Sequence, residues 1–259
     1  MTPDVPSWLG VATSLLLVGL CLLVVVRERL GLTRDVLVAA GRALVQLAAV
    51  GALLGLLFER TGVPGAAAWV TGMVLVAGRV VGGRAEGVPH AQRIATVAVA
   101  AGVSVTLGLL VVARVVDVEP RVVVPIAGMV VSAALRGTTV VLRRLQEEAV
   151  SSRPQVEARL ALGLSPAQAF APSRRTALRT ALVTDIDAVK TVGLISLPGA
   201  MTGLLLAGVP PLTAIRFQVV VMYMLLGAVS VSAVVAARLA ERRLFTEHQS
   251  LRELEPVGG

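Results

Sequence analysis

WLGVATSLLLVGLCLLVVV, residues 8 to 26, carries no charged side chain. At about 1.5 Å per helical residue, a run of this length crosses roughly 30 Å of hydrocarbon. A segment in lipid must satisfy its own backbone N–H and C=O groups, so the run is predicted to be a helix. Outward from it, six further apolar stretches follow at 36–58, 66–81, 94–113, 122–142, 191–207 and 215–237. The sixth of the seven, 191–207, is preceded by charges and interrupted by Pro198-Gly199. Hydrophobic residues make up 56% of the 259-residue chain and charged residues 15%, where a soluble domain holds about 25% charged. The predicted fold is all-α: a polytopic transmembrane helical bundle of about seven spans. Residues 1–245 read as one transmembrane domain with a polar loop at 143–176, and 246–259 as a polar, frayed tail. No basic residue precedes the first run, which therefore reads as a retained span and not as a cleavable signal.

The net charge of +8 could be the footprint of a nucleic-acid binder. The arginines, however, gather in short segments between apolar runs, where they encode orientation. Segments 27–35, 82–93, 143–176 and 238–259 hold fifteen arginines, and the alternating segments 59–65, 114–121 and 207–214 hold three. The expected topology has the N-terminus outside, the C-terminus inside and loop 143–176 in the cytoplasm. The lipid bilayer is the expected partner and nucleic acid is not. Cys21 is the single cysteine, so no internal disulfide forms. Small residues four apart (Gly51/Gly55, Gly78/Gly82, Gly128/Ser132, Gly199/Gly203) are expected to let helices approach closely.

Within the polar loop, EARLALGLSPAQAF spans residues 157 to 170. Val156, Leu160 and Leu164 recur at helical spacing beside Glu157 and Arg159, predicting a short amphipathic helix. Gly163 fits its C-terminus, because glycine accepts the left-handed conformation that closes a last turn. Ser165 then suits the cap of a second helix, with Pro166 at its first position and Gln168 completing a capping box. From the pattern alone, these helices either lie on the membrane surface or dock on a cytoplasmic partner.

Glu157-Ala158-Arg159, three residues, then Gly163 resembles the EAA loop of ABC transporter permeases. Arg159 stands where that motif has alanine, and the usual Ile-x-Leu-Pro ending is missing. Further residues extend the likeness: Pro125-Ile126-Ala127-Gly128-Met129, the Lys190–Gly203 run KTVGLISLPGAMTG, Ala207-Gly208, Pro211, Ala214 and Gln218. Together they are similar to the FetB family of ABC permeases over about residues 40–245. That family is described as iron exporters, with relatives tied to aluminium tolerance in plants. Ser132-Ala133 departs from the asparagine that members often carry there. The resemblance implies a multi-pass permease of the plasma (inner) membrane, a homodimer, and a separate ATPase subunit. It also implies coupling through Glu157, Ala158, Leu160, Gly163, Ser165 and Pro166.

The chain has no motor of its own. A P-loop needs Gly-x4-Gly-Lys-Ser/Thr, and Val189 precedes Lys190, the only lysine. No enzymatic activity and no cofactor are expected. Within the apolar stretches, Arg42 and Gln46 lie one turn apart, Arg136 falls in 122–142, and Asp187 and Lys190 adjoin 191–207 with Asp185 nearby. Ionisable groups at bilayer depth cost at least about 2.5–3.5 kcal/mol, so they pair or line a polar cavity. Pro198-Gly199 breaks a helix where discontinuous helices line transporter sites, with Met201, Thr202 and Gly203 as neighbours. Asp185 aside, these ten residues form the candidate translocation pathway. His90 falls in an inner loop and His248 in the tail, so neither pairs with Cys21 as a metal site. Asp185, Asp187, Met129, Met201, Met222 and Met224 do not distinguish a hard ion from a soft one. Two other readings stay open: an ion-gradient carrier in which Asp187 and Lys190 titrate, and a scaffold that recruits a cytoplasmic factor.

Overall fold

The computed structural model describes residues 8–60, 62–195, 197–246 and 248–254. Its described residues form ten helices and no strand. They are α1 (Trp8–Arg27), α2 (Thr33–Arg60), α3 (Gly62–Arg84), α4 (Ala91–Val112) and α5 (Pro120–Ser151), then α6 (Arg153–Ala161), α7 (Pro166–Ala169), α8 (Ala171–Thr191), α9 (Gly199–Leu206) and α10 (Pro211–Leu244). Six of these, α1 to α5 and α10, are long and apolar enough to cross a membrane. The chain is a multi-pass membrane protein. Proline occupies the first turn of α5, α6, α7, α8 and α10, where its missing N–H would have had no helical partner anyway.

The expected crossing at 191–207 is not one helix. α8 ends at Thr191, Gly193 takes φ +81°, and α9 starts only at Gly199, with Pro198 as its N-cap in extended conformation. The break is thus a segment several residues long and not a kink at Pro198-Gly199. A left-handed glycine and a proline that donates no N–H close off the helix from both sides.

α3, α4, α5 and α10 pack on one another as the body of the molecule, and α8 lies against α5 and α10. One core cluster gathers Val81, Val88, Leu142, Leu145, Val156, Phe170 and Leu244 at the end that carries α6 and α7. A second cluster gathers Val74, Val99, Ile126, Val130 and Met224 further along the bundle. Close approach explains the small residues. A Cβ on Gly102 would stand 2.9 Å from the Ala228 carbonyl oxygen, and one on Gly82 would stand 2.8 Å from Gln92 Cα. Gly78 meets Thr96 in the same way, whereas a Cβ on Gly128 would come within 3.2 Å only of the Met73 methyl group. Gly51, Gly55, Gly199 and Gly203 face open space, so packing within the chain explains only some of the small-residue pairs.

The α1–α2 hairpin stands apart from this body. No residue of Thr33–Gly55 is buried, and among the described residues α2 meets the body mainly at α3 and α5. Beyond α10, the described residues up to 254 fold back on the bundle. Phe245 and Leu251 form an isolated antiparallel bridge, Arg252 N–H donates to Leu244 O at 2.8 Å, and Leu251 is buried. Leu251 and Leu254 supply apolar surface that joins the first cluster, which offsets the entropy of ordering the turn.

Candidate functional site

Two regions hold the expected site residues, and α8 joins them. The first is the knuckle formed by α6 and α7. Gly163 adopts φ +85° between them, and a Cβ there would meet nothing within 4 Å. The glycine is needed for its backbone conformation and not for space. Ser165 takes the extended conformation of an N-cap, Pro166 opens α7, and the Ser165 N–H donates to Gln168 Oε1 at 3.0 Å. The cap chemistry written in the sequence is therefore present. Leu164, grouped with Val156 and Leu160 on one apolar face, instead lies past the end of α6 and stays exposed.

Behind the knuckle, Val156, Ala169 and Phe170 are fully buried. Phe170 meets Phe245 edge-to-face with ring centroids 6.0 Å apart, in the geometry that aromatic quadrupoles favour. Arg174 pairs with the buried Glu241 of α10, and the Ser152 and Ser173 hydroxyls lie 2.9 Å apart. Arg159 Nη1 donates to Ala169 O at 3.1 Å, clamping α6 to the end of α7. The arginine that departs from the EAA pattern thus has a structural task of its own. Glu157 receives Arg153 Nε at 2.7 Å. In front, Glu157, Ala158, Gly163, Ser165, Ala167 and Gln168 face outward, and Leu162 is 79% exposed. The result is a rigidly backed element with an open apolar tip.

The second region lies along α8. Arg136 of α5 reaches Asp185 of α8 at 3.8 Å and donates to Ser132 Oγ at 3.1 Å. Lys190 Nζ donates to Asp187 Oδ1 at 2.8 Å within one turn. The break follows, with Leu194 and Ile195 more than 80% exposed. Past it, Thr202 Oγ1 donates to Pro198 O at 3.3 Å, and Met201 and Thr202 are half-buried. Arg42 and Gln46 do not join this group; both are exposed on α2. Met129 and Met222 are half-buried and Met224 is buried in the apolar core. Among the described residues, no three His, Cys, Asp or Glu side chains stand close enough to hold a metal ion.

One feature was not singled out from the sequence, and one residue of the family likeness, Gln218, has surroundings the sequence did not predict. An apolar groove of about 800 Å³ runs between α3 and α5, lined by Trp69, Gly72, Met73, Gly128, Ser132 and Leu135 among others. Ser132 connects it to the Arg136–Asp185 pair. The recurrence of small residues at Gly65, Ala68 and Gly72 on one face of α3 was the available signal. Gln218 is buried in α10, and its Oε1 has no hydrogen-bond partner among the described residues. A lone glutamine in an apolar run was the clue, since an unsatisfied buried amide costs about 1–3 kcal/mol.

The family model described as "Uncharacterised protein family (UPF0014)" matches residues 8–245. The chain belongs to this family. Among UPF0014 relatives, the rice "UPF0014 membrane protein STAR2" is 45% identical over 223 residues, covering 85% of this chain and 77% of its own. The Arabidopsis thaliana "Protein ALUMINUM SENSITIVE 3" is 36% identical over 93% of this chain and 88% of its own. The Escherichia coli "Probable iron export permease protein FetB" is 33% identical over 93% of both chains. No solved structure matches the chain. A UPF0014 chain of this kind is a membrane protein whose relatives include one named as a permease, in line with a transport component that is not an enzyme.

Proposed function

We propose that the chain is the membrane-spanning subunit of an ABC transporter that exports a metal ion across the plasma (inner) membrane, driven by a separate ATPase docked on α6–α7. The observation that carries this reading is the knuckle itself. Its exposed Leu162 and left-handed Gly163 project from the bundle end, while Phe170 and Val156 anchor it from behind. An element that only lay on the membrane would not need such a backing.

The backing makes the knuckle a lever. α8 begins directly after α7, runs 21 residues, or roughly 30 Å, and carries Asp185, Asp187 and Lys190 to the break before Pro198. A push on α7 by a closing ATPase travels along α8 and into α10 through the Phe170–Phe245 contact. At the far end it shifts Asp185 against Arg136, beside the α3–α5 groove. Metal export is the reading suggested by the name of the E. coli relative. Iron would be cargo held transiently by groups such as Asp185, Asp187 and Met201, together with a second copy of the chain.

Gly163→Arg tests the docking. The substitution forces a side chain into φ +85° and adds bulk at an open surface, so the protein should still insert and stay monodisperse while losing co-purification with its ATPase. Capture of the ATPase at wild-type levels would overturn the assignment. The charge pairs Arg136–Asp185 and Asp187–Lys190 support a second reading, a gradient-driven carrier. Transport in liposomes under an imposed proton gradient with no ATPase present would favour that one.

A further inference from the structure

A cavity of about 380 Å³ opens between the first turn of α4 and the last turn of α10, at the bundle end that carries the knuckle. Its upper wall is basic: Arg93 from α4 and Arg242 and Arg243 from α10, with His90 beside them. Its lower wall is apolar: Ile94, Val97 and Leu239. The layering follows from helical register. Arg93 and Val97 are one turn apart on α4, and Leu239 and Arg243 are one turn apart on α10, so each helix presents a guanidinium above an aliphatic side chain.

Among the described residues, none of the three arginines has a carboxylate partner and no acidic side chain lines the cavity. Nearby, Arg144, Arg153 and Arg174 each hold a carboxylate. Three unpaired guanidiniums around one cavity repel one another unless an anion sits between them. The aliphatic wall says which kind of anion. Val97 is 53% exposed one turn further into the apolar part of α4, where a free phosphate would gain nothing but an acyl chain would lie in contact.

We propose that this cavity is a binding site for an anionic phospholipid. Arg93, Arg242 and Arg243 hold the headgroup phosphate, and Val97 and Leu239 receive the first carbons of an acyl chain, with the buried Ile94 behind them. Guanidinium forks match phosphate oxygens two at a time, and basic pockets between membrane helices are suited to acidic headgroups. The site bridges α4 and α10, so an occupied lipid ties together two helices of the packed body at the level of the knuckle.

The full-length chain, purified in detergent and titrated with phosphatidylglycerol or phosphatidylcholine under native mass spectrometry, tests this. Phosphatidylglycerol should stay bound where phosphatidylcholine dissociates. Each lost guanidinium should weaken retention roughly fivefold, so R93Q/R242Q/R243Q should weaken it roughly a hundredfold. R114Q/R121Q, which removes two charges at the other end of α4 and the start of α5, should not. The single R243Q guards against a misfolded triple variant and should still show its fivefold loss. Val97→Trp fills the aliphatic wall without touching charge and should also weaken lipid retention. Equal retention of both lipids, or unchanged retention in R243Q and the triple variant, would overturn the proposal. So would full displacement of phosphatidylglycerol by millimolar inorganic phosphate with Val97→Trp silent, which would mark a free-phosphate site. Loss of ATPase co-purification in the triple variant with lipid retention intact would mark a protein contact instead.

Discussion

Arg136 and Asp185 come from different helices, and their 3.8 Å contact links α5 to α8 beside the α3–α5 groove. The side chain of Asp185 is 22% exposed and that of Arg136 55%, so the pair is partly open and free to change partners. If the two act as a unit, Asp185→Asn and Arg136→Gln should each lower transport, and the double variant should be no worse than the more damaging single. Additive losses in vesicle uptake would separate them. Glycines offer a second test at this scale. A methyl group on Gly102 would press on the Ala228 carbonyl, whereas one on Gly51 meets open space. Gly102→Ala should destabilise by about 1–3 kcal/mol, and Gly51→Ala by nothing measurable, in detergent unfolding.

The knuckle makes the clearest case at the scale of elements. Phe170 is fully buried and Leu162 is 79% exposed, though both are large apolar residues of one short segment. Phe170→Ala should cost about 3–5 kcal/mol of packing and release α7 from α10, read as faster backbone hydrogen exchange across 153–174. Leu162→Asp should leave exchange and melting unchanged while reducing ATPase association, measured by co-purification. The opposite pattern would place the docking surface elsewhere. Much of this element was legible beforehand. Gly163, Ser165, Pro166 and Gln168 act on the backbone within a few residues, and such local rules hold whatever surrounds them. What was not legible was the role of Arg159, which bonds to a carbonyl ten residues away. Nor did its polar sequence show that the tail beyond Phe245 folds back through Leu251.

For the whole molecule, the bare face of α2 is the feature to explain. Arg42 and Gln46 sit on a helix that buries none of its residues from Thr33 to Gly55. Against lipid such groups are costly, which favours a second copy covering them. In a Cys21→Ser background, Gln46→Cys should therefore cross-link two chains with a short bis-maleimide in native membranes. Monomer alone on a denaturing gel would rule out a dimer across α2.

By itself the sequence determined the all-helical character, the apolar runs, the caps of the knuckle and the lack of a P-loop. Each of these is a property of one segment: its length against a bilayer, its backbone dihedrals, or a required string of residues. Only the tertiary structure decided that Arg136 meets Asp185, that Gly102 packs while Gly51 does not, and that the break after Thr191 spans several residues. Lipid is as apolar as a helix core. A valine or glycine in such a chain therefore carries no mark of whether it faces protein or membrane, and only the rotation and depth of packed helices can assign it.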